Sequence, residues 1–289
     1  MRRFIAVLAA SLLAASAAPA ADDAITIKIK KSGPGDVSDT TKVEKLTNKI
    51  TITVGGSDEV KEESVSSTLV YRDEVIERPA DAKRATKLKR TYKTAEVVKD
   101  NKPVDLGLEG KTVLIEKKGD KYEFTVDGNE VSAAAAELLT KEFAKEKHLT
   151  DDVLFPKGPV KVGETWKIDA TKVAKELGEG GMVIDADKSS ATGKLIKAYD
   201  KGGSKFGVLE LTMDVVVTAL KGGDQEIPLK QGGKLTITLN ADACIDGSQD
   251  AGKAKMTMKG DLAGSVGGAD LKFDLNASQE NASEEVKKK

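Results

Sequence analysis

Residues 209–217 read LELTMDVVV and residues 235–245 read LTITLNADACI. Leu209, Leu211, Met213, Val215 and Val217 fall at every second position. So do Leu235, Ile237, Leu239, Ala241, Ala243 and Ile245. Successive side chains of a strand point to opposite faces, so each run presents one apolar face and one face of Thr, Glu, Asp and Asn. One dry and one wet face mark an antiparallel sheet, because a buried parallel sheet is apolar on both. The pattern continues through Ala254, Met256, Met258 and Leu262, and again through Leu271, Phe273, Leu275 and Ala277. Breaks fall at Gly202-Gly203, Gly222-Gly223, Gly247-Ser248 and Gly267-Gly268. Strands of about ten residues or more between such breaks are long enough for their twist to curl the sheet.

Working back toward the amino terminus, the same alternation predicts strands at Ile25, Ile27 and Ile29 and at Ile50, Ile52 and Val54. Two long strands are expected over 61–77 and 84–98, and a hairpin over 112–117 and 122–126 closed by the turn pair Asp127-Gly128. Residues 132–147, SAAAAELLTKEFAKEK, are built of helix formers behind a Ser cap. Leu138, Leu139 and Phe143 form the stripe that should pack on the sheet. A shorter helix is expected over 171–177, stopped by Gly178. The fold class is therefore mainly β (α+β): long curled antiparallel strands, forming an open half-barrel, with one principal helix near 132–147.

The expected organisation is a signal peptide over 1–20, a single β-rich domain over 21–279 and a flexible charged tail over 280–289. Within the domain lie a β-rich half (24–130), a helix and crossing (132–178) and a β meander (182–279). Arg2 and Arg3, the apolar run from Phe4 to Ala18 and the Ala18-Pro19-Ala20 site give the leader its order. The apolar run is shorter than the ~20 residues a bilayer span needs. No later segment is a continuous apolar span, so no transmembrane segment is expected after cleavage. The expected location is the periplasm or the extracellular space.

Losing Arg2 and Arg3 leaves 44 Lys and Arg against 47 Asp and Glu, a net charge of −3. That balance gives no reason to expect nucleic acid as a partner. Aromatics make up only 4% of the chain, so the core must be aliphatic and stacking surfaces for sugars or bases are scarce. A single Cys rules out an internal disulfide.

The most distinctive stretch is residues 154–166, LFPKGPVKVGETW, with Pro156, Pro159, Gly163 and the sole tryptophan, Trp166. It reads as a structural crossing that docks Trp166 on the core, or else as a ligand-contacting loop. The element Pro-x-x-Pro-Val-Lys-Val-Gly-x-x-Trp resembles one shared by uncharacterised secreted bacterial β-rich proteins. That resemblance implies fold and location and carries over no site residue. The overall texture also resembles the half-barrel carriers of lipoproteins and lipids in the bacterial envelope, which hold acyl chains on a concave apolar face. On that resemblance Leu209, Leu211, Met213, Val215, Val217, Met256 and Met258 become a candidate ligand face, since Met adapts to varied apolar ligands.

Catalytic and metal chemistry find little support. His148 is the sole histidine, beside no nucleophile motif, and reads as a surface residue at a helix end. One His and one Cys do not make a zinc site without several carboxylates. Residues 185–189 begin like a calcium loop, but position six is Ser190 and position twelve Ile196. Asp242, Asp246 and Asp250 read as turn residues that could meet a stray cation. Cys244 shares the parity of the wet face. Asn276 and Asn281 begin glycosylation-type triplets that carry no meaning in a bacterial cell. No catalytic residue, cofactor or metal is expected. The expected role is a non-enzymatic binding or structural protein of the cell envelope. Its partner would be an apolar ligand or an envelope protein, with the lipid carrier as second reading and a hydrolase behind both.

Overall fold

The computed structural model describes residues 24–54, 56–80, 82, 84–143, 151–178, 181–222 and 225–286. The leader over 1–20 and His148 lie outside them.

The first half of the chain forms β1 (Val37–Val54), β2 (Ser57–Glu77), β3 (Lys87–Lys99), β4 (Lys102–Val104), β5 (Thr112–Lys118), β6 (Lys121–Val126) and β7 (Asn129–Glu130). Helices α1 (Ala133–Phe143), α2 (Asp151–Leu154) and α3 (Ala170–Gly178) follow, with β8 (Thr165–Lys167) between the last two. The second half is a meander of β9 (Met182–Lys201), β10 (Ser204–Gly222), β11 (Gln225–Cys244), β12 (Gly252–Val266) and β13 (Ala269–Glu285). All thirteen strands join one antiparallel sheet in the order β7-β6-β5-β3-β2-β1-β13-β12-β11-β10-β9-β8, with β4 on β3. The mainly β architecture with long strands and one main helix is as the alternation predicts.

β1 is the seam. It pairs with β2 on one side and with β13, the last strand, on the other, so Thr41 lies opposite both Val70 and Ala282. Residues 37–49 of β1 were not foreseen as strand, because their alternate positions are Thr, Lys and Glu rather than apolar. The expected tail is a second departure. Residues 280–283 are regular strand paired with both β1 and β12, and Glu284 and Glu285 continue it against β1 alone. The expected strand at Ile25–Ile29 is an extended strap with bridges only at Ile25 to Val160 and Lys28 to Asp246. Its alternation is real, but it buries Ile27 in a core without entering the ladder.

Two cores share the same face of the sheet. The first gathers Leu69, Leu88, Val113 and Ile115 beneath α1, which contributes Ala135, Leu139 and Phe143. Ser132 caps that helix, its Oγ accepting from the Ala135 N–H at 3.2 Å. The second gathers Leu195, Leu209, Leu211, Leu235 and Ile245 beneath Val173 of α3, Leu154 of α2, Trp166 and Ile27. The strap ties the two regions together. The Ile25 N–H donates to Val160 O at 2.8 Å, Lys28 N–H to Ile245 O at 2.8 Å and Gly35 N–H to Val75 O at 2.7 Å. Lys30 Nζ meets Glu285 at 2.7 Å on the way.

Candidate binding groove

The opposite face of the sheet is polar, and its geometry follows from the register. Val208 stands opposite Asp242, Asp242 opposite Lys253, Lys253 opposite Ala282, Ala282 opposite Thr41, and Thr41 opposite Val70. Directly paired residues share a face. The neighbouring row carries Glu284, Asp39, Arg72 and Thr91, again mutually opposite. These positions alternate with the core residues, so they lie on the other side of the sheet.

A groove of about 1330 Å3 opens on this face. Its walls come from eight adjacent strands, β3, β2, β1, β13, β12, β11, β10 and β9. Strands are spaced roughly 4.8 Å apart, so eight of them laid flat would span about 34 Å. One groove bordered by Thr91 and Lys93 at one margin and by Tyr199 and Lys201 at the other requires the sheet to curl toward its polar face. Register shifts at Val208/Leu209 and Val70/Tyr71 add local twist near both margins. A smaller hollow of about 490 Å3 adjoins it and shares Thr41, Asp242, Lys253 and Ala282.

The groove is furnished for polar contact. Arg72 donates from Nε and Nη2 to the two Asp39 oxygens at 2.7 and 2.8 Å. That bidentate bond holds the Asp39 carboxyl below the usual carboxylate range. Tyr199 Oη donates to Asp242 Oδ1 at 2.6 Å, and the bond raises the phenol above its ordinary value. The Tyr199 and Phe206 rings are 5.8 Å apart, with Lys197 Nζ 5.1 Å from the first and Lys201 Nζ 5.0 Å from the second. Among the described residues Lys93, Lys201 and Lys253 form no ion pair. Hydroxyls, carboxylates and free ammonium groups on one concave surface can satisfy a polar ligand along its length.

The apolar face expected to hold a ligand is filled from within. Leu209, Leu211, Met213, Val215 and Val217 are each 3% exposed or less and belong to the second core. Met258 packs on the edge of that core, and only Met256, at 36%, is exposed. The concavity lies on the other side of the same strands. Alternation tells which residues share a face, but not the direction in which a sheet bends.

The Pro-rich crossing is a brace. Trp166 is buried, its Nε1 donates to Leu154 O at 2.8 Å, and its ring lies on Gly193, where an added Cβ would come within 2.2 Å of it. Gly163 turns at φ 87° and donates to Leu195 O at 2.6 Å. Pro156 and Pro159 flank α2 and Val160, and Val160 holds the strap. Cys244 has the parity expected of the polar face, yet it is buried, because the turn after β11 folds over it. Its Sγ–H donates to Asp246 Oδ1 at 3.1 Å. Burial opposes the charge of Asp246, but N–H donors from Lys205 and Ser248 and the Ser248 and Cys244 side chains outweigh it and hold the carboxyl well below its usual range. Asp250 accepts from Ser32 and Ser283, and Asp185 from Lys188. Among the described residues no group of three or more His, Cys, Asp or Glu is placed to hold a metal ion.

The sequence reading missed Asp39, Arg72, Lys93, Tyr199 and Lys253 as site residues. Their signal was the polar half of each alternation, which says only that a face is wet.

No family model matches the chain, and no curated protein is similar to it. Among solved structures, an outer membrane channel from Pseudomonas putida F1 aligns over 90% of this chain and 98% of its own length, at 8% identity and a TM-score of 0.21. That likeness is too slight to carry fold or function over. No helix among the described residues is long and apolar enough to cross a membrane.

Proposed function

We propose that the chain is an exported, non-enzymatic binding protein of the cell envelope that holds a polar ligand in the groove on its polar face. Export rests on the order of the leader over residues 1–20. Binding rests on one observation: eight neighbouring strands line a single open groove of about 1330 Å3, and seven of them bring hydrogen-bonding side chains to it. A lipid carrier has less support, because the strands that would line its cavity are packed beneath α3, Trp166 and the strap.

The experiment is a titration of the 15N-labelled mature chain with three probes: a pool of short polar peptides, maltohexaose and oleate. The reading expects a peptide or sugar probe to shift the amides of Thr41, Val70, Asp242, Lys253 and Ala282, and Thr41→Trp, which fills the groove, to abolish the shifts. Oleate alone binding, with shifts around Met256 and Leu46 on the opposite face, would replace this reading with the carrier.

A further inference from the structure

The two margins of the groove are also places where the sheet stops short. β9 is twenty residues long, yet β8 pairs only with Thr192, Gly193 and Lys194. The bonds from Gly163, Glu164 and Ile168 extend that cover to Ala191 and Leu195. Beyond Leu195, residues 196–201 have β10 on one side and no strand on the other among the described residues. β3 is open in the same way. β5 covers residues 87–91, β4 covers 97–99, and Tyr92 bonds Lys111 and Gly110, which leaves 93–96 without an outer strand among the described residues. An open strand edge presents unpaired N–H and C=O groups to any extended chain that reaches it.

The side chains at these edges select what can be added. Lys197, Lys201 and Lys93 stand there, and none forms an ion pair among the described residues. The acid on this edge, Asp200, is engaged by Lys205 at 2.8 Å, and Asp242 at the same margin accepts from Tyr199. Two β9 edges meeting antiparallel would set Lys197 and Lys201 of one chain against the same lysines of another. A second copy is therefore disfavoured, while an acidic strand is accepted. Ile196, 42% exposed beside these lysines, offers an apolar contact on the opposite side of the added strand.

Building on the groove as the binding site, we propose that its ligand is an extended acidic polypeptide segment. The segment adds as an antiparallel or parallel strand to the β9 edge at 196–201. Backbone bonds supply the attachment, and acidic side chains at alternate positions point toward Lys197 and Lys201 at the groove margin. A glycan would use the hydroxyls of the groove and leave the open edge unused.

The test uses fluorescence anisotropy with the mature chain and a labelled seven-residue peptide of alternating Thr and Glu. Two further peptides carry N-methyl groups on alternate residues, one in each phase. Strand addition pairs only one phase of amides with the protein. Methylation in one phase should then weaken binding at least tenfold, and methylation in the other should leave it nearly unchanged. Lys197→Glu with Lys201→Glu should also weaken it at least tenfold, and a control peptide of alternating Thr and Lys should not bind. Equal tolerance of both methylated peptides overturns strand addition. If Thr41→Trp still blocks such binding, the groove reading survives; if it does not, that reading falls too. Absence of peptide binding beside maltohexaose binding in the groove overturns the peptide alone.

Discussion

The two ends of the sheet solve the same packing problem in different ways. At the first, α1 closes a core that contains four aromatic rings and a buried charge. Arg90, 3% exposed, donates from Nε and Nη2 to Asp73 at 2.8 Å each, and from Nη1 to Glu142 of α1 at 2.8 Å. Its guanidinium carbon lies 3.8 Å from the centre of the Tyr71 ring. At the second, the core is aliphatic around one indole, and no charged side chain is buried in it among the described residues. There the close seat of Trp166 on Gly193 does the positioning. The first end is registered by directional bonds and the second by fit. A buried ion network adds little stability compared with apolar packing, but it penalises every wrong seating of the helix.

Breaking the network should therefore be the most damaging change. Arg90→Ala leaves Asp73 and Glu142 buried without their cation, and should cost about 3–5 kcal/mol in urea unfolding. Replacing Arg90, Asp73 and Glu142 together by Leu should be far milder, because no uncompensated charge remains. A cost below about 1 kcal/mol for Arg90→Ala would show that apolar contacts alone seat α1, and the contrast between the ends would vanish.

The second end is best probed by spoiling its fit. Gly193→Ala drives a Cβ into the Trp166 ring and should cost about 1–3 kcal/mol, the usual range for overpacking. In a Trp166→Leu background the same substitution should cost less, with a coupling on the order of 0.5–3 kcal/mol in a double-mutant cycle. Hydrogen exchange of α1 should be unaffected by either change, since the two cores share no buried residue. Loss of α1 protection on Gly193→Ala would mean that the ends act as one unit.

The same contrast explains what could be read from the sequence. Strands with one buried face announce themselves by period two, and β10 to β13 are legible for that reason. β1 is not, because it crosses between the two cores and puts Thr40, Lys42 and Glu44 on the core side. The charge of the final residues suggests a frayed end, but pairing with β1 as far as Ser38 keeps them in the ladder, and Glu285 finds Lys30 from a strap 255 residues away. The groove was hidden for a different reason. Asp39, Arg72, Lys253 and Asp242 sit on two hairpins far apart in the chain, and only the direction of curl brings their common face to one hollow. The Arg90 network was equally invisible, since Arg90 reads as one more polar residue in an alternating strand.

Acid is the mildest way to separate the two ends. Burial works against the charge of Glu142, but Arg90, Lys42 and Arg84 outweigh it and hold its carboxyl below the ordinary value. A carboxylate whose folded pKa is depressed stabilises the fold fully above its unfolded value of about 4.3, and that contribution is lost as pH falls through the lower folded value. Burial raises Asp73 in the same network, a shift of opposite sign. It is therefore the difference between wild type and Glu142→Gln that should show protection in α1 and the β3 segment beneath it falling as pH drops from 6 toward 3. Glu142→Gln should remove that pH sensitivity of α1 while leaving the rest of the profile in place. Parallel loss of protection at both ends would assign acid weakening to carboxylates outside the first core, such as Asp246, whose depressed pKa has the same sign.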